Sequence, residues 1–239
     1  MKPRKDMSHN YFYKVVAKKK ENEEVVTLTL SLVNDTCPPF VSGQYITVYF
    51  PETGVKEGKA YSISSAPHEK QLMITIKDMG VFSHRLCSLE VGDTVEGSLP
   101  YGFFYSEEES TSLVLFASGI GVTPLYSLVK DVFSKNPLRR VQLFYSVKYL
   151  SSALFIETLQ ALSHECPSFS FIIYVTQEDT ALLWSRKGRI PVKEIVESSG
   201  GGDTEYFMCG SISFVRDTWR TLREVGVPEE NMYTEAFFG

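Results

Sequence analysis

The feature that most constrains this chain is a change of sequence grammar partway along it. In the first half, YKVVAKKK, EVVTLTLSL, QYITVYF, KAYSISS, QLMITIKD and DTVEGSL are short and rich in β-branched and aromatic residues. Turn signals such as PPFVSG and PETG separate them. EVVTLTLSL alternates in part, as a half-buried antiparallel strand does. Six such strands at this spacing predict a small closed barrel, interrupted by one helix from Ser83 to Leu89. After SEEESTS, LVLFAS is a continuous apolar run, the mark of a parallel strand covered on both faces. VTPLYSLVKDVFSK then reads as a helix, followed by VQLFYSV, SALFIETLQALSH, SFIIYVT, YFMCG, ISFVRDTWRTLREVG and MYTEAF in strand and helix alternation. That order predicts an α/β layer on a parallel sheet. The join falls near Glu107 to Ser110, giving domains 1–108 and 109–239.

Composition narrows the function classes. A net charge of −5 argues against nucleic acid as the main partner. The basic start MKPRKDMSHNYFYK is followed by no apolar run, so it is not read as a secretory signal, and no stretch approaches the ~20 apolar residues of a membrane helix. A cytoplasmic monomer is expected. Cys37, Cys87, Cys166 and Cys209 lie far apart with no C-x-x-C pair, which disfavours a cysteine-built zinc or iron–sulfur site and reads as free thiols. His9, His68, His84 and His164 form no partner pattern, and no metal site is expected. The glycine run in SSGGGDTE reads as a loop.

Three motifs stand out, two of them, ASGIGVTP and YFMCGS, where a parallel sheet offers ligands its carboxyl edge. In ASGIGVTP, Gly119 and Gly121 permit a tight turn and close approach to the backbone, with Thr123 as a candidate helix cap and Pro124 at the first helical position. A helix opened by glycines suits a phosphate, but the third glycine and the later acidic residue of the dinucleotide fingerprint are both missing. In MGVFSHRL, Gly80 permits a turn and Ser83 is placed to cap the next helix, whose N–H groups suit a pyrophosphate. In YFMCGS, Cys209 ends a buried strand before Gly210 and a helix. Each has a plain structural reading as well: an unliganded turn, a capped helix and a small buried hydrophobe.

Taken together, these segments resemble the ferredoxin–NADP reductase family from Tyr11 to Gly239, with the motifs in family order. The resemblance implies a six-stranded antiparallel flavin-binding barrel followed by a parallel-sheet nicotinamide-nucleotide domain. KAYSISS stands in the place of the family's Arg-x-Tyr-Ser-x-x-Ser flavin cradle. Tyr61 would stack on the isoalloxazine, Ser62 would lie near flavin N5, Ser64 would join the cradle, and Lys59 would face the pyrophosphate. Lysine there offers a point charge in place of a two-pronged fork. GQY at Gly43 to Tyr45 matches a family strand start. Gly80, Val81, Phe82 and Ser83 resemble the phosphate-binding helix entry, and SGIGVTP resembles the nucleotide pyrophosphate loop. Cys209, Gly210 and Ser211 resemble the edge that holds nicotinamide. EAFF resembles the terminal Glu-x-aromatic, with Glu235 near the nicotinamide and Phe237 or Phe238 covering the flavin.

The implied chemistry is hydride transfer from NADPH or NADH to FAD, then release of single electrons. It requires the reacting carbon and nitrogen to come within roughly 3–3.5 Å, a contact shaped by Ser62, Cys209 and Glu235. Lys148 and Arg189 stand where NADP-using relatives carry cations, whereas Gln177 stands where many carry arginine; both coenzymes stay open, with the two cations on the side of NADPH. FMN in place of FAD also stays open. With no cysteine cluster and an end at FFG, electrons are expected to pass to a separate ferredoxin, flavodoxin, oxygenase component or small molecule. KPRK and the lysines Lys18 to Lys20 are candidate attractors for an acidic ferredoxin, or simply solvated charge. Two other readings remain: an NAD(P)H:flavin or quinone reductase, which Lys59 favours, and a non-catalytic flavin-binding partner subunit, which the intact EAFF and Cys209 disfavour.

Overall fold

The segments read as strands in the first half pair antiparallel throughout. β1 (Tyr11–Lys20), β2 (Val25–Leu32), β3 (Tyr45–Phe50), β4 (Val55–Ser62), β5 (Leu72–Lys77) and β6 (Thr94–Gly97) lie in the order β4-β3-β6-β1-β2-β5. The computed structural model describes residues 11–34, 36–108, 111–199 and 203–237. The chain divides into two units, 1–102 and 103–239. In the first unit the edge strands touch through one bridge, Ile63 to Ile74, beside a bond from Ser64 N to Met73 O of 2.8 Å. The sheet is thus barrel-like, curled until its edges meet at a point.

Alternation explains why it curls inward. Leu28 and Leu30 of β2 and Leu72, Ile74 and Ile76 of β5 share one face and are buried. Each such side chain contributes roughly 1.5–3 kcal/mol on burial. Helix α1 (Val81–Cys87) adds Phe82 and Leu86, one turn apart, to the same core. It begins two residues before the predicted Ser83, because His84 N already bonds to Gly80 O at 2.8 Å.

The second unit is a six-stranded parallel sheet in the order β10-β9-β8-β7-β11-β12. Its strands are β7 (Ser112–Ser118), β8 (Val141–Val147), β9 (Phe169–Val175), β10 (Ser185–Lys187), β11 (Thr204–Ser211) and β12 (Met232–Phe237). Helices α2 (Val122–Lys135), α3 (Ile156–Glu165), α4 (Val192–Ser199) and α5 (Ile212–Glu224) connect them. β7 lies mid-sheet and the strand order reverses beside it, which makes its carboxyl end a switch point where ligands bind. The glycines of SSGGGDTE, Gly200 to Gly202, lie outside the described residues.

A buried polar cluster ties down the opposite, amino edge. Arg139, before β8, meets Glu205 of β11 at 3.3 Å, and both are at most 8% exposed. Arg139 also donates to Thr111 O and Glu108 O at 2.8 and 2.5 Å. Glu205 accepts from Ser106 at 2.5 Å, Thr111 at 2.7 Å and the Tyr233 hydroxyl at 2.9 Å. These bonds, with Phe104 edge-on to Phe207 at 5.3 Å, attach the segment from Phe103 to Glu108 to the second unit. The carboxylate of Glu205 and burial hold the Tyr233 phenol up at about 12, burial being the larger cause.

Candidate functional site

In the first unit the candidate residues gather at the end of β4. The strand turns at Gly58, with φ of +72°, where an added Cβ would lie 2.5 Å from Val48 O. Beyond it, Lys59 is exposed, with its ammonium 5.8 Å from the Phe82 ring centre. Tyr61 is half-buried, its ring 6.3 Å from that of Phe82 at an angle of 20°. Burial, and then the nearby Cys87 thiol, push its phenol well above the ordinary tyrosine range, so Tyr61 remains a neutral aromatic face with a hydroxyl. Ser62, the last residue of β4, and Ser64, two residues further on, are both buried. Sequence reasoning passes over Ser65, the last residue of KAYSISS; it is fully buried and accepts the Met73 N–H at 3.0 Å, bracing the cradle against β5.

The turn into α1 differs from expectation. Since the helix starts at Val81, Ser83 is its third residue and not its cap. Its Oγ accepts from Met79 N at 2.9 Å and Gly80 N at 3.0 Å, and donates to Gly80 O at 3.1 Å. Val81 is exposed while Phe82 is in the core, and nothing lies within 4 Å of a Cβ added at Gly80.

In the second unit the carboxyl edge collects the rest. Gly119 takes φ of +55°, a left-handed conformation suited to glycine, and space beside it is open. One tight turn, Gly119–Gly121, leads into α2 at Val122. Thr123 is therefore not the cap, nor Pro124 the first residue; Thr123 lies in the first turn and donates back to Ile120 O at 2.7 Å. Pro124 is tolerated there because first-turn N–H groups have no helical partner. A Cβ on Gly121 would sit 2.3 Å from Cys209 O, and one on Gly210 2.8 Å from the Ser118 Cβ. Both glycines let the end of β7 and the turn after it pack on the carboxyl end of β11.

The register of β11 on β12 pairs Cys209 with Glu235, Gly210 with Ala236 and Ser211 with Phe237. Cys209 is fully buried; burial first, and the Glu235 charge second, push its thiol well above the usual range, so it is a neutral thiol and no nucleophile. Glu235 and Phe237 are half-buried, and Phe238 lies outside the described residues.

The candidate phosphate cations converge at another corner of the same edge. Val147, Val175 and Lys187 stand side by side across β8, β9 and β10. One step further, Gln177 N bonds to Lys148 O at 3.0 Å and Gly188 N to Val175 O at 2.9 Å, which places Lys148, Gln177 and Arg189 together. All three are exposed. Lys187 is engaged by Asp179 at 2.5 Å. In the first unit, the lysine run is neutralised: Lys18 meets Glu90 at 2.6 Å, Lys19 meets Glu21 at 2.8 Å and Lys20 meets Glu23 at 2.8 Å. It therefore offers little net charge to an acidic partner, and KPRK lies outside the described residues.

A flavin calls for an aromatic face flanked by hydroxyls, and a dinucleotide for open backbone at a glycine turn on the carboxyl edge. The end of β4 and the Gly119–Gly121 turn fit those needs. An open apolar hollow of about 440 Å³, lined by Tyr11, Phe12, Leu32, Val33, Asn34 and Thr94, includes none of these residues.

Comparison with known proteins bears on both units. The oxidoreductase FAD-binding domain family matches residues 13–105 and the oxidoreductase NAD-binding domain family matches residues 115–220. A flavohemoprotein of Bacillus subtilis (strain 168) is 32% identical over 232 residues, covering 93% of this chain and 58% of that protein. The electron transfer component of toluate 1,2-dioxygenase from Pseudomonas putida is 26% identical over 219 residues, covering 90% of this chain and 64% of its own. The chain spans about three fifths of the length of the flavohemoproteins it matches. Among solved structures, a cytochrome P450 reductase of Amycolatopsis superposes with a TM-score of 0.84 at 22% identity, over 96% of this chain and 70% of that one. A ferredoxin–NADP reductase from Neisseria gonorrhoeae gives 0.75 at 21% identity, over 96% and 99%. Fold and site define an oxidoreductase module with an FAD-binding domain first and an NAD-binding domain second. The chain carries the oxidoreductase FAD-binding and NAD-binding domains in that order, on the fold seen in a ferredoxin–NADP reductase.

Proposed function

We propose that this protein takes hydride from NAD(P)H onto FAD and passes electrons singly to a separate redox partner. The observation that carries the reading is the match of the two halves, in order, to FAD-binding and NAD-binding oxidoreductase domains. In this reading residues 1–108 hold the flavin and residues 109–239 the nicotinamide nucleotide. Tyr61 covers the flavin ring, Ser62 and Ser64 line its edge, and Lys59 with the turn from Gly80 to Ser83 faces its phosphates. The flavin supplies the conversion of a hydride to single electrons; the protein binds, orients and excludes water. On the nucleotide side, Gly119, Gly121, Thr123 and Pro124 form the pyrophosphate turn. Cys209, Gly210 and Glu235 hold the nicotinamide edge, and Phe237 covers the flavin.

The acceptor is a ferredoxin, flavodoxin, oxygenase component or small molecule. The relatives named for dioxygenase electron transfer and P450 reduction support a protein partner. A second reading, an NAD(P)H:flavin or quinone reductase, is favoured by Lys59, whose single-point charge grips a pyrophosphate less firmly than arginine. Retention of flavin through gel filtration separates the two: bound FAD supports the first, free FAD the second. Exposed Lys148 and Arg189 at one corner of the sheet favour NADPH. The expected outcome is a higher kcat/KM with NADPH than with NADH, reduced in Lys148→Ala and Arg189→Ala; equal efficiency in the unmodified protein contradicts a 2′-phosphate role for both.

A further inference from the structure

A negative charge stands where the flavoprotein reading needs positive charge. Asp78 directly follows β5 and precedes, by two positions, Gly80 at the start of the turn set against the flavin phosphates in that reading. Its backbone N–H donates to Glu24 O at 2.8 Å, which fixes its place at the end of the strand. Its carboxylate lies 2.8 Å from Nδ1 of His84, the fourth residue of α1. The two side chains are 34% and 75% exposed, so the imidazole exchanges protons freely with solvent. The Asp78 charge also reaches the far end of the helix. Burial first, and that charge second, push the Cys87 thiol up to about 11, against the opposing pull of Lys18, so Cys87 stays neutral. A carboxylate at this range works against the binding of a diphosphate.

The cations around α1 decide what can offset it. Lys77 is taken by Glu24 at 3.0 Å, Arg85 by Glu52 at 3.6 Å and Lys18 by Glu90 at 2.6 Å. Among the described residues, His84 is the one basic side chain that meets Asp78. Lys59 approaches the helix from β4, its ammonium 5.8 Å from the Phe82 ring centre, and meets no carboxylate among the described residues. Two charge states follow. A neutral imidazole keeps the bond by donating from Nδ1, and Asp78 then cancels Lys59. An imidazolium cancels Asp78 and leaves the charge of Lys59 in excess. The bond survives in both states, so the turn keeps its shape while its charge changes.

We propose that the Asp78–His84 pair makes flavin affinity depend on pH, with FAD held more tightly when His84 is protonated, an inference that rests on the flavoprotein reading above. The sign follows from the charges. Protonation removes a negative charge beside a ligand that is itself negative, so affinity is highest at low pH and falls as His84 loses its proton. Linkage makes the effect reciprocal: binding of FAD draws a proton onto the pair. Neither residue takes part in hydride transfer; the pair acts on retention of the flavin alone. The plain alternative is an exposed ion pair that only ties α1 to the end of β5.

The test follows release of FAD from the flavin-loaded full chain on dilution, read from the fluorescence of the freed flavin. It is run at about pH 6 and about pH 8, on either side of the range where histidine changes charge. The unmodified protein should hold FAD roughly two- to fivefold more tightly at the lower pH, the size expected of one exposed charge pair. His84→Asn keeps a side-chain donor for Asp78 but no charge, and should show the weaker affinity at both. Asp78→Asn should tighten binding at the higher pH by a similar factor. High salt should shrink the difference between the two pH values. Calorimetry in buffers of different protonation enthalpy should show proton uptake on FAD binding, lost in His84→Asn. An affinity that does not fall as pH rises, or a pH dependence unchanged in His84→Asn, would overturn the device while leaving the flavoprotein reading intact. An unmodified protein that takes up no FAD at either pH would overturn both.

Discussion

Tyr61 illustrates how one side chain carries two properties at once. Its ring lies beside Phe82 and its phenol is kept neutral by burial, so it presents a flat, uncharged face with a hydrogen-bonding tip. Tyr61→Ala should strip most of the flavin from the purified protein or shift its visible bands; full occupancy with an unchanged spectrum would refute the stacking role. Gly121 is the opposite case, a residue defined by what it lacks. Gly121→Ala puts a methyl 2.3 Å from Cys209 O, a backbone atom with no room to move aside. Urea unfolding should show a loss of about 1–3 kcal/mol, as for other overpacked positions. Both residues are legible in the sequence, because an aromatic among serines and a G-x-G after an apolar strand are local signals. The helix starts are less so. Thr123 and Ser83 read as caps by type, yet backbone bonding begins each helix earlier and leaves them in the first turn. The Cys209–Glu235 pairing depends on a strand register that no local signal encodes.

Among the elements, the long apolar strands and amphipathic helices of the second unit follow from periodicity. Two pieces do not. β10 has three residues, SRK, whose charges read as a solvated loop; it becomes a strand only through its bonds to β9. α4 follows Pro191, with Val192, Ile195 and Val196 on one helical face, a pattern that does mark a helix although its eight residues are easily passed over. The cluster around Arg139 and Glu205 was also beyond sequence reading, because its members come from segments far apart in the chain. Arg139→Ala leaves the Glu205 carboxylate buried without its cation. Thermal or chemical unfolding should show a loss of about 3–5 kcal/mol, and the double change Arg139→Met with Glu205→Met should lose less. A double-variant loss equal to the sum of the Arg139→Met and Glu205→Met losses would mean that the pair is not coupled.

At the level of the whole molecule, the order of the two domains was readable because each has its own periodicity, of two in the first half and of strand and helix in the second. The curl of the first sheet was less readable, since among the described residues its edges meet at the bridge between Ile63 and Ile74 and the bond from Ser64 N to Met73 O. The electron acceptor leaves no local motif, and the lysine run once available to attract one is matched by carboxylates. The central claim is that the two domains bind FAD and a nicotinamide nucleotide and join them in one redox reaction. An absorbance spectrum of the purified protein, taken anaerobically before and after NADPH, tests it most directly. The account predicts flavin bands that bleach on addition of the coenzyme. A colourless protein that neither FAD nor FMN restores would contradict it.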